Sequence, residues 1–70
     1  MCLSNVYIEQ KTQDKLVLEE AEQVKVDGEY IQVRTLFGES KRLEGYYISE
    51  VNLMENYVIL RKSGEHGRDG

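Results

Sequence analysis

Seven Val and four Ile stand in a chain with no Pro and a single Ala. β-Branched side chains fit a pleated, half-buried surface, so this balance favours strands over helices. The pattern agrees with the composition. Val6 and Ile8 alternate with Tyr7 and Glu9 in a first strand. Residues 11–15 are polar and read as a turn, after which Leu16 and Leu18 resume the alternation. Residues 19–23 read as one helical turn at most, because so short a helix is marginal in water. Val24 and Val26 then belong to a third strand.

Asp27-Gly28 is the clearest local signal. An Asp-Gly pair between alternating segments favours a two-residue type I′ hairpin, since both residues tolerate positive φ. It joins Val24–Val26 to a strand over residues 30–36. A turn at 37–40 follows, with Gly38 as its left-handed residue, and then a short strand broken by Gly45. Over residues 46–54 the apolar positions Ile48, Val51 and Leu53 slip by one. A bulge near Ser49-Glu50 restores their register. Glu55-Asn56 is a turn, and residues 57–61 form the last strand, with either Val58 and Leu60 or Ile59 inward. The expected fold is all-β, a small antiparallel barrel or sandwich of five to seven short strands. Its expected inward set is Val6, Ile8, Leu16, Leu18, Val24, Val26, Ile31, Val33, Leu43, Ile48, Val51, Leu53, Val58 and Leu60. Residues 1–62 make one β-domain. Residues 63–70, with three Gly and no apolar side chain, make a flexible tail.

At 70 residues the chain has room for one core. A domain of this size buries only about 60% of its unfolded surface, so a metal or a second subunit is a reasonable expectation. One cysteine excludes an internal disulfide framework and points to a reducing cytoplasm. No apolar run is long enough to span a membrane, and Asn5, Glu9 and Gln10 interrupt any signal-peptide core. Nine basic residues against thirteen acidic ones, a net charge of -4, disfavour strong binding to nucleic-acid phosphates.

The residues do not assemble a conventional active site, and an enzyme is not expected. The single histidine, His66, falls in the tail, where a Cys2–His66 dyad has nothing to hold it together. Gly28, Gly38 and Gly45 are isolated turn glycines and cannot cradle a phosphate. Cys2 carries the chemistry instead. Once the initiator Met is trimmed, Cys2 offers a thiolate and a free α-amine. Untrimmed, it offers the thiolate and backbone nitrogens. Nitrogen and thiolate donors in a plane suit Ni(II) or Cu(II). One Cys is too few for a tight soft-metal site, but a twofold dimer that joins two N-termini supplies four donors.

The opening Met1-Cys2-Leu3-Ser4-Asn5-Val6-Tyr7 resembles that of CooT-like proteins, small accessory proteins named for the nickel insertion system of carbon monoxide dehydrogenase. The resemblance continues through Val24-Lys25-Val26-Asp27-Gly28 and is strongest at Thr35-Leu36-Phe37-Gly38-Glu39. It closes at residues 48–53 and Tyr57-Val58-Ile59-Leu60, covering roughly residues 1–61. It implies a homodimeric all-β protein that binds Ni(II) through Cys2 and passes it to a nickel enzyme or its maturation machinery. The family is also labelled as predicted RNA-binding. Tyr7, Tyr30, Tyr46, Tyr47 or Phe37 would then serve as stacking platforms. The only basic pairs, Lys41-Arg42 and Arg61-Lys62, make no stripe, which disfavours RNA. Hydrogenase maturation chaperones of the HypC type also begin Met-Cys-Leu, but they usually continue into a Pro-Gly segment that this proline-free chain lacks.

Overall fold

The structure is a computed structural model and describes residues 3–63. Cys2 and His66 therefore lie outside the described residues. The elements are β1 (Ser4–Ile8), a single 3₁₀ turn (Gln13–Lys15), β2 (Leu16–Asp27), β3 (Tyr30–Thr35), β4 (Ser40–Glu44), β5 (Tyr46–Asn52) and β6 (Tyr57–Lys62). The all-β expectation holds. The six strands form one curled sheet in the order β4-β3-β2-β1-β6-β5. Its two edge strands, β4 and β5, are consecutive in the chain and meet at Gly45, whose φ of 82° bends the backbone there. No ladder closes the ring, so the sheet is barrel-like and open. Gly45 also ties the curl together: its N–H donates to the Glu29 carbonyl and its own carbonyl accepts from Ser63 N–H. Of the expected tail, only Ser63 is described.

Four strand pairs are antiparallel, as hairpin signals imply, and β1–β6 is parallel. That pair joins the first and last strands, which no local turn signal encodes.

Three local expectations need correction. The hairpin closes on Asp27↔Tyr30, so its two loop residues are Gly28 and Glu29, not Asp27 and Gly28. Only Gly28 has positive φ (66°), which is the Gly-first pattern of type II′ and not the type I′ pattern. Asp27 stays in the ladder and accepts a hydrogen bond from Tyr30 OH at 3.1 Å. Second, residues 19–23 are not a helical turn and do not separate two strands. β2 runs through them, and its ladders slip against both β1 and β3. Glu20 takes φ 55° at this irregularity, held by its N–H on Asn5 Oδ1 (3.4 Å) and its carbonyl under Leu36 N–H (3.0 Å). Third, β5 ends at Asn52, with Leu53 already in the following turn. The expected bulge is present between Ile48 and Glu50.

The core is Val6, Ala21, Ile31, Val33, Val58 and Leu60, with Ile8, Leu18, Val24, Leu43 and Ile48 packed against it. Three members of the expected inward set are exposed: Val26, Val51 and Leu53, the last at 82%. Val26 sits beyond Ala21, where β1 no longer flanks β2. Val51 lies on edge strand β5. The choice between Val58 with Leu60 and Ile59 resolves as all three buried. β6 is an inner strand, and Ile59 lies on its other face between Tyr7 of β1 and Glu50 of β5.

A polar cluster marks that outer face. Tyr57 OH donates to Glu50 Oε2 at 2.7 Å, and its ring meets Tyr7 edge-on at 6.3 Å. The bond to the Glu50 carboxylate holds the Tyr57 hydroxyl proton and raises its pKa above the ordinary 10.0, with desolvation adding to the effect. The folded chain therefore keeps this proton to higher pH than the unfolded chain. The stabilisation is complete below the unfolded pKa and is lost as pH rises through the folded value. Tyr57→Phe should accordingly flatten the fall in thermal midpoint above pH 10.0. Superimposable alkaline profiles for the two proteins would count against the Tyr57–Glu50 bond.

Candidate metal centre

The chain enters the sheet at Leu3, and β1 is paired from its first residues on both sides. Ser4 lies opposite Ala21 of β2, and Asn5 lies opposite Tyr57 of β6. Asn5 anchors this entry twice. Its N–H donates to the Asn56 carbonyl at 3.1 Å, and its Oδ1 accepts the Glu20 N–H. The start of β1 is therefore held on both of its sides.

The neighbouring turn, residues 53–56, is equally well determined. Asn52 Oδ1 accepts the N–H groups of Met54 (3.0 Å) and Glu55 (2.7 Å), an Asx-type arrangement, and Asn56 adopts φ 57°, a conformation Asn tolerates. This leaves Leu53 and Met54 projecting at 82% and 87% exposure beside the N-terminal entry. Asn5 and Asn52 are positioning residues that the sequence reading missed. The available signal was an Asn at each margin of a strand, which is the usual place for side-chain-to-backbone bonds.

Among the described residues, no group of three or more His, Cys, Asp or Glu side chains could hold a metal ion. The sequence's single cysteine and single histidine, Cys2 and His66, both lie outside the described residues. The predicted ligand Cys2 lies one residue before Leu3 in the sequence.

Of the five aromatic platforms considered for RNA, Tyr30 is already occupied: the Arg42 guanidinium lies 4.3 Å from its ring centroid. Lys11 Nζ lies 5.2 Å from the ring of Tyr57, which is not among the five. Arg61 contacts Glu9 at 3.5 Å, and Arg34 contacts Glu22 at 2.9 Å. Cations spent on protein rings and carboxylates are less available to phosphates. Among the described residues, no helix is long and apolar enough to cross a membrane.

Comparison with known proteins gives a consistent result. The sequence model of the family "CO dehydrogenase accessory protein CooT" matches residues 1–61. No curated protein matches the chain. Among solved structures, a crystal structure of "putative CooT from Carboxydothermus hydrogenoformans" superimposes with a TM-score of 0.75 at 19% sequence identity, covering 89% of this chain and 98% of that one. At that identity the superposition speaks for the fold.

Proposed function

The chain belongs to the CooT family of CO dehydrogenase accessory proteins, and from that premise we propose that it captures Ni(II) through Cys2 at a homodimer interface and delivers it to a metalloenzyme. The role is that of an accessory protein in metalloenzyme maturation, without catalysis of its own. The Cys2 thiolate is the soft ligand. The second donor is a nitrogen of the N-terminal backbone or the freed α-amine. Two chains related by a twofold axis supply two such pairs, a four-donor set suited to Ni(II).

The observation that carries this reading is the anchoring of β1. Strand pairing on both sides from Ser4 and Asn5, with Asn5 bonded to Asn56, gives the N-terminal segment a fixed point of departure. A ligand held near a rigid strand loses less freedom on binding metal than one on a free chain end. The exposed Leu53 and Met54 beside that departure point supply apolar surface of the kind a subunit contact would cover.

Optical titration tests the proposal. Ni(II) bound by thiolate should give charge-transfer absorption in the near ultraviolet that grows to saturation. The band should fade as pH is lowered, because protons compete for sulfur and for any amine donor. Saturable nickel binding without such a band would place the ion on nitrogen and oxygen donors alone and contradict the assignment to Cys2.

A further inference from the structure

A second feature lies on the side of the sheet where β2 loses its partner. Residues 16–19 are flanked by β1 on one side only, because the β3 ladder begins at Ala21↔Thr35 and beyond it only the Glu20 carbonyl is met, by Leu36 N–H. The space left open is a groove of about 400 Å³ lined by Leu16, Val17, Leu18, Glu19, Glu20, Thr35, Phe37 and Glu39. That volume lies within the range of sites that admit a ligand or a few side chains.

One wall of the groove is a hydrogen-bonded turn. The turn after β3 is closed by Thr35 N–H on the Glu39 carbonyl (2.8 Å), Gly38 N–H on the Thr35 carbonyl (3.1 Å) and Glu39 N–H on Thr35 Oγ1 (3.2 Å). Thr35 is itself buried at 2% exposure. The turn nevertheless holds Phe37, the only phenylalanine of the chain, at 75% exposure. Opposite it, β2 slips register against β1 twice between Ala21 and Leu16. Such irregularities re-aim side chains relative to a regular strand.

Charge narrows the class of occupant. Three carboxylates, Glu19, Glu20 and Glu39, line the groove, and no Lys or Arg does. Among the described residues, none of the three has a basic side chain within ion-pair distance, since the ion pairs there are Arg34–Glu22 and Arg61–Glu9. A nucleic-acid backbone would be repelled. Among the described residues, no three His, Cys, Asp or Glu side chains are grouped so as to hold a metal ion. A twofold contact with a second copy through this face would set the three carboxylates against the same three of the other chain, which disfavours it. What fits is a long cationic side chain: its aliphatic stem lies on Phe37 and Leu18, and its head reaches the carboxylates and the ring face.

We propose that this groove is a docking site for an arginine carried on an apolar segment of a partner protein. The proposal does not rest on nickel binding or on Cys2.

The test uses the full ¹⁵N-labelled chain and three acetylated, amidated tripeptides: Leu-Arg-Leu, Leu-citrulline-Leu and Leu-Glu-Leu. Leu-Arg-Leu should shift the backbone amides of residues 16–20 and 37–39 in a saturable manner. Citrulline keeps the shape and removes the charge, and should weaken binding by about fivefold or more, as expected for a cation–π and ion-pair contribution at an exposed site. Leu-Glu-Leu should leave the spectrum unchanged. Phe37→Ala, at a residue exposed in the fold, should abolish the response without altering amides elsewhere in the spectrum. Glu39→Gln should weaken it. Equal responses to all three peptides, no response, or shifts confined to other residues would overturn the proposal. So would shifts of residues 16–20 that depend on protein concentration alone, which would give the groove to a second copy.

Discussion

Leu60→Ala is expected to remove most of the stability of this domain. Leu60 has no exposed surface and lies opposite Ile8 of β1 and Ile48 of β5, so its side chain ties three strands to the core. Truncation to Ala loses the transfer free energy of the removed carbons and leaves a cavity in a layer too thin to collapse around it. The loss should be about 2–5 kcal/mol. A single core in a chain this small rarely supplies more than about 3–5 kcal/mol in total. The variant should therefore be largely unfolded at room temperature, or have a urea midpoint close to zero. Leu53→Ala, compared without nickel and at a protein concentration low enough to keep the chain monomeric, is the matched control. Its side chain is 82% exposed in the turn after β5, so the change should stay within about 0.5 kcal/mol. Urea denaturation followed by far-ultraviolet circular dichroism separates the two. Similar midpoints for both variants would contradict the placement of Leu60 in the core and Leu53 outside it.

That pair also shows what was legible in the sequence. Alternation assigns a residue to a face of a strand, and by this rule Val6, Ile31, Val33, Val58 and Leu60 were placed correctly. It does not report what lies beside the strand. Val26 shares a face with Ile31 but is 60% exposed, because β1 has ended before β2 reaches it. Val51 fails for the same reason on the edge strand β5. The bulge at Ile48–Glu50 was readable because an apolar pattern that slips by one residue needs one extra residue in the strand. The irregularity at Glu20 was not, since its left-handed backbone is stabilised by Asn5 and Leu36, residues distant in sequence. The hairpin at Gly28 was legible in place and off by one residue in register. A Tyr30–Asp27 hydrogen bond keeps Asp27 in the ladder, and the dipeptide signal alone carries no information about that partner.

The candidate site divides in the same way. Cys2 is a chemical signal, a soft donor beside a terminal amine, and it can be read without any fold. The held start of β1 on which the proposal leans depends on the parallel β1–β6 pairing and on the Asn5–Asn56 bond, both of which join the two ends of the domain. No spacing rule reports a contact between strands that lie more than fifty residues apart. The groove beside Phe37 escaped notice for a related reason. An exposed aromatic in a turn looks unremarkable until the neighbouring strand is seen to lack its partner.

If Cys2 captures nickel between two chains, native mass spectrometry of the intact protein during a Ni(II) titration will read it as stoichiometry. The same spectra report whether Met1 has been removed. The wild-type chain should take up one nickel per two chains, following from twofold symmetry about a shared ion. Cys2→Ser keeps the size of the side chain and replaces the thiolate by a hydroxyl that ligates poorly at neutral pH. Loss of an outer partner of a metal ligand costs about 10–100-fold in affinity, and loss of the ligand itself should exceed about 100-fold. The variant should stay folded, because position 2 precedes the first paired residue, Ser4. A wild-type dimer that holds one nickel, and a folded Cys2→Ser chain that holds none at the same concentrations, is the predicted result. A Cys2→Ser chain that retains tight nickel, or a wild-type protein that saturates at one nickel per monomer, would contradict the account.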